Sequence, residues 1–365
     1  MFGSAEKVEI REIERHLRRL WQELAEPGDK EEAMLVRACA LNLVIVVGDD
    51  HSGRELLESV GRVTAEHPNR CVLLIARRED PNPRLDAYIN SVCFSLGGGK
   101  QFCCQQIILD AGGDRVDELH SAVYQLLVPD LPVYVWWHSI PAFGSRVFRR
   151  LTEVADRVIV NTDRFTRGDF GELLGLVSRD SDRLDVADLN WTRLRDWRYV
   201  LAQFYDVAEF RNHLEQIESV RVEYESDAAA ESFPARSLLL LCWLANQLHW
   251  TPGRLELGGS DRFDLPFDAN GHSIQAAIHA TASQAGRESI LSIAIDTRTG
   301  ARFSVIRSSD HALAETLVEL PGLQPIRRVG IRHDVGEEGL ISRELESLEA
   351  DAQYRSALET MGNLL

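Results

Sequence analysis

The amino-acid sequence predicts an α/β protein. It should have an N-terminal open, mainly parallel sheet with helices on both faces and an antiparallel hairpin insertion, followed by a smaller α+β C-terminal domain. Three observations carry this expectation. The runs LNLVIVV (41–47) and CVLLIA (71–76) are continuously apolar and rich in β-branched residues, the signature of strands buried on both faces. Between them lies a helical pattern, and strand, helix, strand with short connections is a parallel βαβ unit. Beyond residue 235 the strand-like runs come as a block flanked by helices, which is the order of an α+β domain.

Taken in order, MFGSAEKVEIREIERHLRRL is charged throughout and lacks the apolar centre of a signal peptide. It reads as an amphipathic helix with Ile10, Ile13, Leu17 and Leu20 on one stripe. The segment after LNLVIVV carries Leu56, Val60 and Val63 at helical spacing. LDAYINSVCFSL and FCCQQIILDA flank GGGK, whose glycines suit a hairpin turn. DRVDELHSAVYQLLVPD returns to helix, with Val116, Leu119, Val123 and Leu126 on one face and Pro129 beyond its end. PVYVWW is the next strand, and its adjacent Trp136 and Trp137 point to opposite faces of the sheet. A helix at SRVFRRLTEVA and a strand at RVIVNT complete a sheet of five or six strands.

The stretch 188–206, DLNWTRLRDWRYVLAQFYD, places Trp191, Leu194, Trp197, Leu201 and Phe204 on one stripe of a long helix capped by Asp188. No large apolar residue occurs from Asp227 to Ser232, so the sequence divides into an N-terminal α/β domain over 1–215, a linker over 216–235 and a C-terminal α+β domain over 236–365. The last of these opens on the helix RSLLLLCWLANQLHW. Strands are expected near RLELG, SIQAAIHATA, SILSIAID, RFSVIRS and RRVGIRH, with DTRTG as a turn, and a charged helix from Gly336 to Met361 ends the chain.

The 365 residues are 44% hydrophobic, enough for one large or two ordinary domains with cores. Against 40 basic residues stand 57 acidic ones, a formal net charge of −17 that repels nucleic acid and anionic membrane surfaces. Neither is expected as a partner. Apolar runs fall well short of the roughly 20 residues a spanning helix needs, and the expected location is the cytoplasm. Six cysteines occur without a C-x-x-C pair or zinc-ligand spacing, so no metal site is expected. Cys103 and Cys104 are a possible redox pair, but neighbours in a strand face opposite ways, a bond between them would need distorted backbone, and packing is the favoured reading.

No sequence motif points to a catalytic residue or a cofactor. No G-x-G-x-x-G follows a predicted strand, GGGK is too short for a phosphate loop, and the hydrolase, zincin and kinase signatures are missing. Two constellations remain. Asp49, Asp50, His138 and Ser139 fall at the carboxyl ends of parallel strands, where open α/β sheets hold ligands. Trp191, Arg193, Arg195, Trp197 and Arg198 combine the residue types enriched at protein interfaces, while the same spacing also suits tryptophans packed inward beneath a solvated face. HPNR (67–70) leads into a strand's amino end and reads as a structural turn.

The stretches AEHPNRCVLLIARRED (65–80), PRLDAYI (83–89), LLVPDLPVYVWWHS (126–139) and DLNWTRLRDWRYVLAQ (188–203) resemble, in order and separation, the bacterial glucose-6-phosphate dehydrogenase assembly protein family, OpcA. The resemblance covers most of 35–210, and the C-terminal half is similar to the family's second domain in length and pattern. It implies a non-catalytic partner that promotes assembly and activity of glucose-6-phosphate dehydrogenase, the enzyme that reduces NADP at the head of the oxidative pentose phosphate pathway. It also implies, from cyanobacterial members, a link to thioredoxin through cysteines that match no positions here. The competing expectation is a sugar-phosphate- or nucleotide-binding α/β protein that uses the carboxyl edge of its sheet.

Overall fold

The computed structural model describes residues 5–25, 35–37, 39–97, 100–180, 183–227, 233–258, 262–283, 289–308, 313–331, 335–347 and 349–365. Along the chain come β1 (Glu6–Val8), α1 (Ile13–Ala25), β2 (Leu35–Arg37), β3 (Leu41–Val47), α2 (Asp50–Glu66), β4 (Asn69–Arg77), β5 (Arg84–Gly97) and β6 (Lys100–Gly112). Then follow α3 (Leu119–Leu126), β7 (Val133–Trp137), α4 (Arg146–Val154), β8 (Arg157–Val160), α5 (Arg167–Asp180) and β9 (Asp185–Asp188). Next are α6 (Leu189–Arg193), α7 (Arg195–Tyr205), α8 (Ala208–Leu214), β10 (Ile217–Asp227), α9 (Ala235–Gln247), β11 (Thr251–Pro252), β12 (Glu256–Leu257) and β13 (Arg262–Ala269). The chain closes with β14 (His272–Ser283), β15 (Ser289–Thr297), β16 (Arg302–Arg307), β17 (Leu313–Glu319), β18 (Ile326–Ile331), α10 (Glu337–Glu346) and α11 (Ala352–Leu364).

These elements form two compact units interleaved in sequence. One takes 1–161, 180–187 and 337–348; the other takes 162–179, 188–336 and 349–365. The first unit carries a nine-stranded sheet in the order β1-β5-β6-β4-β3-β7-β8-β9, with β2 on β6. Strand β3 lies between β4 and β7, parallel to both, and all seven of its residues are buried. That explains its unbroken apolar run, since both faces are covered. Its one polar residue, Asn42, is satisfied: the amide donates to Val128 O at 3.0 Å and Leu131 O at 3.2 Å, and its oxygen accepts from Val128 N at 2.8 Å. Asn42 thereby anchors the loop that leads into β7. Of HPNR, read as a turn, Asn69 and Arg70 already belong to β4, and buried Arg70 donates to Glu14, to Leu126 O and to Gln105. The β5–β6 hairpin is antiparallel, and β6 returns to pair in parallel with β4.

The second unit carries another nine-stranded sheet, β11-β13-β14-β10-β15-β16-β17-β18, with β12 on β13. Strand β10 is parallel to β14 and antiparallel to β15. It buries Val220, Val222 and Tyr224 and exposes Arg221 and Glu223, the period-two pattern of a sheet covered on one face. Helix α9 is buried continuously from Ala235 to Ala245 and packs against α11, β14 and β15. In the DTRTG turn Gly300 has φ +81, a region that L side chains rarely adopt, and Thr297 N closes the turn on Ala301 O at 3.0 Å.

Several expectations change. The segment 216–235, read as a linker, begins with β10, its residues 228–232 lie outside the described residues, and the second unit is comparable in size to the first because it also takes 162–179 and 188–235 while 337–348 goes to the first. The N-terminal helix starts at Ile13 and is preceded by β1, which pairs with β5. The long tryptophan helix breaks at Leu194, whose N–H turns back to Trp191 O at 3.0 Å. The C-terminal helix is two helices, since Asp351 caps α11 through Gln353 N and Tyr354 N. Helix α5 has no clear signal in the sequence because Gly168, Gly171 and Gly175 depress helix propensity. Strand β13 went unread because Pro266 interrupts its pattern.

Candidate functional site

The carboxyl edge of the first sheet is built where β3 and β7 end side by side. From β3 the chain crosses to β4 on one side, while β7 lies on the other, so this is the switch point at which open α/β sheets place ligands. The ladder extends one step past β7, with His138 N donating to Val46 O at 3.1 Å. His138 packs its ring edge-on to Trp136, with centroids 5.6 Å apart. Its Nε2 lies 3.3 Å from a Glu337 carboxylate oxygen at the start of α10. Ser139 is exposed. Trp136 and Trp137 are 1% and 5% exposed; Trp137 packs edge-on to Phe148 of α4 at 5.1 Å. Both rings serve packing, and the accessible groups at this edge are His138 and Ser139.

Asp49 meets the same edge from β3 and is already occupied. It is the N-cap of α2, accepting from Ser52 N at 2.9 Å and from Ser52 Oγ at 2.8 Å. Those bonds hold its carboxyl below the usual carboxylate range, because they favour the charged form. Asp50 is the first residue of the helix.

A fold of this kind implies a dinucleotide, and the turn from β3 into α2 tests that. The dinucleotide turn reads G-x-G-x-x-G: the first glycine permits the turn, the second admits the pyrophosphate, and the third lets helix and strand approach. Here it reads Gly48-Asp49-Asp50-His51-Ser52-Gly53. Gly53 keeps the third role, since a Cβ there would meet Ile75 Cδ1 at 3.3 Å and Val47 Cγ2 at 3.5 Å. The second glycine is replaced by Asp50, and an amide of the α2 N-terminus is bound by Asp49. A phosphate would meet an anion where it needs donors. The residues present do not fit a dinucleotide, and the relation to the fingerprint is not legible in the sequence because only two of its three glycines are present. Among the described residues no group of three or more His, Cys, Asp or Glu is placed to hold a metal ion.

The second constellation lies in the second unit. Trp191 and Trp197 are each 4% exposed, so the tryptophans cannot anchor a partner; the helical stripe turned them inward. Trp191 Nε1 donates to Asp351 Oδ2 at 2.6 Å, its ring lies 5.5 Å from that of Tyr354, and the Arg198 guanidinium stacks 3.5 Å from its centroid. Arg193 is half-buried and Arg195 exposed beside Tyr199, itself 66% exposed.

Beneath them Asp188 is fully buried and caps α6. Its oxygens accept from Thr162 N at 3.1 Å, Asn190 N at 2.9 Å, Thr162 Oγ1 at 2.6 Å and Tyr354 OH at 3.4 Å. Burial pushes its carboxyl up to about 6, against the pull of those donors. Asn190 accepts from Arg236 Nε at 2.8 Å, and Arg236 donates to Asp163 at 2.8 Å. This chain of polar groups fixes the DLNWTR segment. No local signal reveals it, because its members come from Thr162 to Tyr354.

Cys103 is bonded to Cys93, which faces it directly across the β5–β6 hairpin, and Cys104 is buried outside any disulfide. The two adjacent cysteines are thus not bonded to each other, and Cys103 pairs with the cross-strand Cys93 instead. The spacing of Cys93 and Cys103 about GGGK was the available sequence signal.

Residues 60–174 match the family model described as "Glucose-6-phosphate dehydrogenase subunit N-terminal domain", and residues 184–358 match its C-terminal counterpart. Among curated relatives, the "Putative OxPP cycle protein OpcA" of Synechocystis is 30% identical over 192 residues, covering 52% of this chain and 39% of that protein. The protein of the same name from Nostoc punctiforme is 33% identical over 150 residues, 41% of this chain and 31% of that one. These matches span well under half the length of either relative. Among solved structures, an oxidoreductase from Sinorhizobium meliloti superposes with a TM-score of 0.52 at 10% identity, covering 91% of this chain and 95% of that one. The transcriptional regulator Gal80p from Kluyveromyces lactis gives 0.52 at 9%, covering 90% and 91%. Two such different activities on one architecture show the fold alone. With both halves matched to the domain models, the chain belongs to the OpcA family of glucose-6-phosphate dehydrogenase assembly proteins.

Proposed function

We propose that this protein is a non-catalytic assembly factor and activator that binds glucose-6-phosphate dehydrogenase and stabilises its active oligomer, supporting NADPH production by the oxidative pentose phosphate pathway. The observation that carries the reading is the match of both halves to domains of a dehydrogenase subunit family. The turn into α2 agrees with a non-catalytic role, because Asp49 takes the helix amide that a nucleotide phosphate would use.

An activator acts by binding one state of its target better than another; equal affinity for all states shifts nothing. The protein therefore binds the competent dehydrogenase oligomer more tightly than the separated subunits. The test is to assay the cognate dehydrogenase with and without this protein while following its mass distribution. A higher rate at limiting substrate together with a shift to larger species supports the reading, and unchanged kinetics and distribution oppose it. The thioredoxin link belongs to the same reading, with Cys93–Cys103 as the bond a dithiol reductant would open.

A further inference from the structure

We propose that the free edge of β18 is a docking strand for an extended acidic segment of a protein partner, one with two adjacent carboxylates between apolar residues. This deepens the function proposed above and rests on it only for the identity of the partner, the dehydrogenase.

Strand β18 ends the hydrogen-bonded order of the second sheet, so among the described residues no strand pairs with its outward amides and carbonyls. Such edges are commonly blunted by a proline, a bulge, a covering element or charged side chains, and of these β18 carries the charges, Arg327 and Arg328. Here the register against β17 runs from Val318↔Ile326 to Leu313↔Ile331 without a shift, and no proline lies within IRRVGI. Nor do the described residues cover the strand. Every residue from Pro321 to Val329 is exposed, Val329 to 66% and nearby Leu323 to 65%.

The chemistry of the edge selects its occupant. Successive strand residues face opposite ways, so Ile326 and Arg328 share one face while Arg327 and Val329 share the other. Each face thus offers one apolar side chain and one guanidinium. In a chain of net charge −17, the sequence from 320 to 333 holds Arg327, Arg328 and Arg332 and no carboxylate. A second copy of β18 laid antiparallel on this edge would set arginine against arginine, which opposes pairing. A segment of the form apolar-acid-acid-apolar is complementary in either direction. Arg327 already pairs with Glu315 at 3.1 Å, but Arg327 is exposed and Glu315 only half-buried, so solvent screens the contact and it can yield. Backbone bonds to the open edge would supply affinity and the two arginines selectivity.

The test uses the full chain and a fluorescein-labelled peptide with the core Thr-Val-Glu-Glu-Val-Thr, followed by anisotropy at low salt. The proposal expects binding that weakens with added salt and falls at least about tenfold in Arg327→Glu/Arg328→Glu. It should be unchanged in the charge-matched control Arg11→Glu/Arg18→Glu. Equal binding of a peptide with lysines in place of the glutamates, equal binding by the edge variant, or no binding at millimolar peptide overturns it. Thermal midpoints verify that the variants fold. If the edge variant does not, Arg327→Gln/Arg328→Gln carries the same expectation without adding like charge. A second arm repeats the comparison with the dehydrogenase. Retained binding by the edge variant overturns the docking strand and leaves the assembly role standing. Failure of the wild-type protein to bind removes the assembly role, and the peptide result then decides the edge alone.

Discussion

Trp191 donates its indole N–H to Asp351 at 2.6 Å, joining residues 160 positions apart. The same carboxylate caps α11, accepting from Gln353 N at 2.9 Å and Tyr354 N at 3.0 Å. One side chain therefore starts the last helix and holds the signature tryptophan.

Replacing it should be costly. Asp351→Ala removes a helix cap and leaves a buried indole donor without its partner, a combined loss of about 2–4 kcal/mol. Trp191→Phe removes only the indole bond and part of the ring, and should cost less. Urea denaturation of the two variants checks the order, which would be reversed if the cap contributed nothing.

Asp188 predicts an unusual pH dependence. Its carboxyl is raised from 3.8 to about 6 by burial, so between those values the folded state binds more protons than the unfolded one. The stability it contributes is therefore greatest below pH 4 and declines as pH rises through 6. A shift of roughly two units corresponds to about 3 kcal/mol. Other carboxyls, such as Asp49, are lowered and slope the other way, so the comparison must be differential. Asp188→Asn should gain on the wild type by up to that amount between pH 4 and 7 in denaturant titrations.

Asp49 supplies the opposite sign. Its lowered carboxyl stabilises α2 above pH 4, and that contribution is lost as pH falls through the folded value. Asp49→Ala should cost about 1 kcal/mol at neutral pH, and that cost should shrink as pH falls below the usual carboxylate range, by the same denaturation assay. Because Asp49 occupies the helix terminus, NADP should leave the thermal midpoint of the wild-type protein unmoved.

Reducing Cys93–Cys103 opens a short hairpin loop. In the chain-entropy picture a bridge of this span is worth about 2–3 kcal/mol. Alkylation and mass measurement should count four free thiols before reduction and six after, and the reduced protein should unfold at lower denaturant.

Much of this architecture was legible where one period dominated. The buried runs of β3, β4 and β7 and the helical stripe of α2 admit few alternatives, because burial on both faces demands unbroken apolar sequence. Val220, Val222 and Tyr224 also alternate cleanly, yet the acidic run that follows them suggested a linker and hid β10. At the sheet edge the sequence located His138 and Asp49 correctly at strand ends. It could not say that Asp49 spends its carboxylate on α2 or that Glu337 stands opposite His138, some 200 residues on. The inward turn of Trp191 and Trp197 was one of two readings that periodicity allowed, and burial decides it.

The most direct measurement of the central claim mixes the cognate glucose-6-phosphate dehydrogenase with this protein and records rate at limiting glucose 6-phosphate together with oligomer mass. The account predicts a lower substrate requirement and a shift toward the larger assembly containing this chain. An unchanged rate and an unchanged mass distribution, with both proteins folded, would contradict it.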